Sequence, residues 1–348
     1  MPCSLALMTC VLLSSCDNER KGEEVGMNDT EQPNPQQTQS VSKERIEVDR
    51  EIQAALVDAQ RGFADAQYAL AKIYAKRVKN SQAKIDKVIE WCEKAAAQGH
   101  QEAEMTLAGM YFYGADVTKD IDKARKWFEA AATSGNIEAH YYLGLIALSG
   151  EKMTHDLKKG WDEIKIASDK GLPLAMGVLG RAYVEGCEGI EKNKAKGIAL
   201  LKKAAQAADI QSAVLLGKIY YQGLGVDKNT KDAFYWYEKA AQLGDPHAQY
   251  IVALMYLEGE NGEKNPAKAI DWLKLSAGQD HLDAMGILSI CYASGIGVKA
   301  DNELSRVWKE RALELQKKRE TCCVNGAKRS VGIRFPPDPK RRAHRRVI

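Results

Sequence analysis

Apolar residues along this chain fall on helical stripes, with no alternation of the kind a strand would show. In Ala233–Gly244, AFYWYEKAAQLG, Ala233, Trp236, Ala240 and Ala241 stand at i, i+3, i+7 and i+8, which is one face of a helix. In Ser212–Gly223, SAVLLGKIYYQG, Ser212, Leu216, Gly217 and Tyr220 stand at i, i+4, i+5 and i+8, which predicts a second helix just before the first. Glycines follow both stripes, placed to end each helix with a left-handed residue.

The pair recurs. Trp91, Trp127, Trp236, Trp272 and Trp308 are separated by 36, 109, 36 and 36 residues, and Glu163 and Leu200 complete that column inside the gap. Trp161 lies two residues out of register. Three residues before the column come Val88, Ala124, Gly160, Gly197, Ala233, Ala269 and Ser305, and four after it Ala95, Ala131, Ala167, Ala204, Ala240, Ser276 and Ala312. The other helix opens on Ala66, Ala103, Ala139, Ala175, Ser212, Ala248 and Ala284. Gly114, Gly150, Gly186, Gly223, Gly259 and Gly295 end that first helix, and Gly99, Gly135, Gly171, Ala208, Gly244 and Asp280 end the second. A fixed period with one supersecondary unit per copy is the mark of a stacked array. The expectation is an all-α chain, an α/α solenoid of seven helix-turn-helix repeats from about Gly62 to Leu313, with Arg45–Gln60 as a lone capping helix. Trp236 is then core, not part of a ligand cage.

The composite pattern A-x-x-x-L-G-x-x-Y-x-x-G-x-G-V followed by A-x-x-W-x-x-x-A-A-x-x-G, best seen in Ser212–Gly244, closely resembles the Sel1-like repeat, a relative of the tetratricopeptide repeat. The resemblance implies a groove lined by the first helix of each pair, holding a partner protein or peptide. Side chains two and six residues past the opening alanine are the candidates for that face: Tyr68, Met105, Tyr141 and Tyr250 in the first column, Arg181 and Lys218 in the second. Tyrosine and methionine give large contact area at small entropic cost.

Charge narrows the classes of partner. The 348 residues carry a formal +3, but from residue 315 on eleven Lys and Arg face only Glu320 and Asp338, a net +9, which leaves −6 for the rest. A mildly acidic body argues against nucleic acid as a partner. Residues 315–348 read as a basic flexible tail with a Pro-Pro pair, suited to anionic lipid headgroups.

The N-terminus points to a membrane. Ser4–Leu13 is an apolar run too short to span a bilayer and of signal-peptide length, and it leads into Leu13-Ser14-Ser15-Cys16. This resembles the lipobox of bacterial lipoproteins, which implies removal of residues 1–15 and a lipid on Cys16. Residues 16–44 read as a polar tether, 45–314 as the solenoid. Asp17 resembles the signal that keeps such lipoproteins at the inner membrane, so the expected location is the cell envelope, facing the periplasm. An unprocessed signal would instead leave a cytoplasmic adaptor.

Motifs for catalysis do not assemble. The chain has no H-E-x-x-H, G-x-S-x-G, Walker loop or C-x-x-C. GLGVDK at Gly223 and GIGVKA at Gly295 recur in phase with the repeat and read as turns between helices. DKN at Asp227 begins like a calcium loop, but Lys231 stands where an oxygen ligand is needed. The six histidines are scattered; His100 and His281 share one repeat position, which points to turn chemistry. No catalytic residue, metal site or cofactor is expected. A cysteine-rich Sel1-like subfamily linked to β-lactamase or penicillin binding supplies the alternative, a cell-envelope hydrolase, but Cys92, Cys187 and Cys291 fall in different repeats and lack that subfamily's within-repeat pairs.

Overall fold

The computed structural model describes residues 52–75, 82–149, 156–260 and 262–330. The signal peptide, Cys16, the tether to residue 44 and the tail beyond 330 lie outside the described residues. Helix α1 (52–60) precedes seven pairs: α2 (Ala64–Ala75) with α3 (Gln82–Ala96), α4 (Gln101–Tyr113) with α5 (Ile121–Thr133), α6 (Ile137–Ser149) with α7 (Leu157–Asp169), α8 (Pro173–Glu185) with α9 (Lys194–Gln206), α10 (Ile210–Gln222) with α11 (Thr230–Gln242), α12 (Pro246–Glu258) with α13 (Pro266–Gly278), and α14 (Leu282–Ser294) with α15 (Asn302–Ser330). The fold is an α/α solenoid, and the β character among the described residues is one isolated bridge, Cys187 to Ile190.

Two compact units divide between Ser212 and Ala213. In the first, Ile52, Leu56 and Ala59 of α1 pack into the core of the first repeats, so the expected capping helix is present over 52–60, while 45–51 lie outside the described residues. The second unit carries the remaining repeats and ends on α15.

Among the described residues, the turns within pairs two, four, five, six and seven are closed from both sides. Asp120, Asp156, Asn193, Asn229 and Asn265 cap the second helices through their side-chain oxygens, and Asp301 does the same for α15. Such caps contribute about 1 kcal/mol each. In the reverse direction, the capping residue's own amide donates to the carbonyl of the tyrosine that ends the first helix: Asn193 to Tyr183 at 2.8 Å, Asn229 to Tyr220 at 2.9 Å, Asp301 to Tyr292 at 2.8 Å.

Between pairs, the chain reverses through a left-handed residue. The column Gly99, Gly135, Gly171, Ala208, Gly244 and Asp280 has φ from 60° at Asp280 to 98° at Gly244. Repeat seven carries Gln316 at that position. There the chain does not reverse, and α15 continues to Ser330. The expectation of a flexible tail from residue 315 is therefore corrected over 315–330, which is helical.

The small residues of the stripe serve close helix approach. A β-carbon on Gly160 would lie 2.8 Å from Leu148 Cγ, and one on Gly197 would lie 2.6 Å from the Gly180 carbonyl oxygen. Ala124, Ala233, Ala240 and Ala269 are fully buried, as are Trp91 and Trp236 nearly so. Repeat three solves the same packing differently. Trp161 is buried there, its indole N–H donating to the Glu188 carbonyl at 3.0 Å, while Glu163, in the tryptophan column, pairs with His140 Nδ1 at 2.7 Å.

Candidate interaction surface

In the first unit, the candidate face starts at Tyr68 on α2. Its ring lies 4.7 Å from that of His100 and under the Lys72 ammonium, and its hydroxyl shares a 3.1 Å hydrogen bond with Thr106 of α4. Met105, one position along α4, is half-buried beside the core. These two side chains are brought together on neighbouring first helices.

Tyr141 is not part of an open face. It is 2% exposed and belongs to a cluster with Ala175 and Leu179 of the next repeat. Burial pushes its phenol up to about 12. The corresponding residue of repeat four is Gly177, where a side chain would meet Asp209 and Ser212. Arg181, in the second column, is half-buried.

Sequence columns missed Tyr113. It is 47% exposed on the last turn of α4, with its hydroxyl 3.1 Å from that of Tyr142. Phe112 and Phe128 back the pair: Phe112 meets both tyrosines edge-on, and Phe128 stacks on Tyr142 at 4.8 Å. Burial, with the Tyr113 hydrogen bond, holds the Tyr142 phenol far above its usual range. An aromatic platform with one exposed ring and a hydroxyl at its rim can take apolar and polar groups of a peptide together. The signal was legible: other repeats carry Ser149, Glu185, Gln222, Glu258 and Ser294 where this one has tyrosine.

In the second unit, Lys218 is exposed on α10. Tyr250 is half-buried on α12 and stacks on His281 at 5.1 Å. His281 caps α14, its Nδ1 accepting from the Ala284 amide at 3.3 Å, as His100 Nδ1 accepts from Ala103 at 3.2 Å at the start of α4. Both histidines thus do the turn work that their shared repeat position suggested. Burial holds the His281 imidazole below its ordinary value, against the pull of Asp283.

The Sel1 repeat family model matches residues 64–100, 101–136, 137–162, 173–209, 210–245, 246–281 and 282–316. The chain belongs to the Sel1-repeat family. Each matched Sel1 repeat begins at the first residue of a first helix, and the third match ends at residue 162. Two solved structures are similar: a protective antigen, c5321, of uropathogenic Escherichia coli with an SLR fold, at 26% identity and TM-score 0.66, and a Sel1 repeat protein from Oxalobacter formigenes, at 27% identity and TM-score 0.59. The alignments cover 76% and 66% of this chain. They span 56% of the E. coli chain and 93% of the Oxalobacter chain. No curated protein matches.

Within this Sel1 array Cys92 and Cys291 are buried free thiols, so neither forms a within-repeat disulfide. Burial pushes the Cys92 thiol to about 12, which keeps it protonated and inert near neutrality. Among the described residues no helix is long and apolar enough to cross a membrane.

Proposed function

We propose that this protein is a non-enzymatic interaction scaffold of the bacterial cell envelope, tethered through a lipid on Cys16, that holds a partner protein or peptide on the first helices of its repeats. The family supports the coarse reading, since Sel1-repeat proteins are generally protein-interaction scaffolds. The observation that carries the surface is Tyr113, an aromatic side chain 47% exposed on a first helix and braced by Phe112 and Tyr142, which Phe128 backs in turn. Large exposed aromatics on rigid elements are preferred anchors for a protein partner. Tyr68 and Met105 extend the same unit's surface. The description of the E. coli neighbour as a protective antigen fits a location in the envelope.

A photo-crosslinking residue at Tyr113 tests the surface. One discrete protein adduct is expected from that site, and none from the same residue placed at Tyr235, which is 54% exposed on a second helix. Equal labelling from both positions refutes the surface. The tether has its own test: Cys16→Ser should abolish incorporation of a palmitate analogue, and equal labelling of both proteins refutes the anchor.

A further inference from the structure

Repeat seven leaves open a surface that repeat three covers on its first helix and that repeats one to six cover on the second helix, one residue past the tryptophan column. In the first unit, Tyr141, Leu145 and Leu148 of α6 are buried, and they pack with Ala175, Leu179 and Ala182 of the following helix α8. Their counterparts on α14 are Gly286, Ile290 and Ala293. Among the described residues no further helix pair lies over them, and Ile290 is 56% exposed.

The second helix shows the same contrast. One residue past the tryptophan column, Cys92, Phe128, Ile164, Leu201, Tyr237 and Leu273 are all buried, whereas repeat seven has exposed Lys309. Five past the column, Ala205, Ala241 and Ala277 are buried small residues, whereas repeat seven has Leu313, 48% exposed. Together with Leu282 and Ile287, these side chains line an open groove of about 850 Å³ on α14 and α15.

We infer that this groove is a self-association surface: two copies of the chain pair through the same α14–α15 face about a twofold axis. Three features favour a second copy over another occupant. Among the described residues nothing supplies the helix pair that the repeat pattern would place on this surface, and a second copy brings such a pair. The charged residues lining the groove are Asp283 on α14 and Lys309 on α15, one of each sign, and neither has an ion-pair partner among the described residues. An isologous interface is self-complementary, so it sets each Asp283 against the other copy's Lys309. Finally, head-to-tail stacking is disfavoured because α1 already covers part of the first repeat, with Ala59 1% exposed in that core. Pairing by like faces closes at two copies, while head-to-tail pairing gives larger rings or open filaments.

Sedimentation equilibrium of the full chain tests this. The wild type should be a dimer that dissociates on dilution. Ile290→Glu should be monomeric with an unchanged far-ultraviolet circular dichroism spectrum, a change the fold tolerates because the side chain is exposed. Lys309→Glu should also weaken the dimer, and the double variant Asp283→Lys with Lys309→Glu should restore it. A wild type that stays monomeric into the high micromolar range overturns the inference. So does a dimer unaffected by Ile290→Glu, a series of ever larger species, or a double variant no better than the single.

Discussion

Arg319 donates through its guanidinium to the backbone carbonyl of Asp280 at 3.2 Å. Arg311, two turns earlier on α15, holds the side chain of the same residue, Nη2 to Oδ1, at 2.9 Å. The two arginines thus fasten the long last helix to the left-handed corner that precedes repeat seven, and the second fastening lies beyond the end of the repeat pattern. Replacing Arg319 with Ala should fray α15 after Gln316. Amide hydrogen exchange over residues 317–330 should speed up, with the rest of the second unit unchanged. The global stability loss should stay within about 1 kcal/mol, since the contact is solvent-exposed.

Gln316→Gly tests why the helix runs on. Glycine restores the residue that reverses the chain at Gly99, Gly135, Gly171 and Gly244, and in a helix interior it costs about 1 kcal/mol relative to a good helix former. Helical content should fall by the portion beyond 316, with the main melting transition in place. An unchanged circular dichroism spectrum would mean that contacts, not the missing left-handed residue, extend the helix.

Glu104 should be better as glutamine. Gln67 and Gln249 occupy its repeat position, and each donates to the carbonyl eight residues upstream, Ala59 at 3.2 Å and Ala241 at 3.1 Å. Each also accepts from a second glutamine, Gln98 or Gln279. Glu104 is 3% exposed and its Oε2 has no partner. The equivalent carbonyl, on Ala96, is present and takes the Gly99 amide at 2.9 Å, as Ala59 and Ala241 take Gly62 and Gly244. An ionised carboxylate cannot donate to it, whereas an amide can. Glu104→Gln should raise stability by about 1–3 kcal/mol, the usual penalty for a buried unsatisfied group, read as a higher urea midpoint at neutral pH. A lower midpoint would show that the carboxylate is satisfied by water.

Alkali should unfold the protein through its buried phenols. Burial pushes Tyr141 and Tyr237 up to about 12, against about 10 in the unfolded chain. The folded state therefore holds the neutral phenols more tightly. That stabilisation is complete below about pH 10 and is lost as pH rises toward 12. Phenolate absorbance should rise in two phases, the later one coinciding with loss of helicity. Tyr141→Phe should move the second phase to higher pH.

Much of this arrangement was legible because a repeat supplies its own internal comparison. The glycine and alanine columns gave the pairing, the turns and the close helix approach, and the shared position of His100 and His281 gave their capping role. Gln316 in the left-handed column was a signal for the continuing helix, outweighed by the basic composition that follows it. The Asp and Asn caps of the second helices were equally visible as a column. Tyr141 was not, since its burial comes from packing against Ala175 and Leu179 of the next repeat, a relation between copies and not a property of either. The trade of Trp and Gln for the Glu163–His140 pair in repeat three likewise needs coordinates, because two changes far apart in sequence compensate only where the helices meet.

The departures that end the array, Lys309, Leu313 and Gln316, all lie within one turn or two of the last helix. Termination is therefore written locally, in a stretch that no internal unit has to share. A gene encoding such a chain can duplicate or delete a middle unit in a single recombination event, changing the reach of the protein while leaving both of its ends intact.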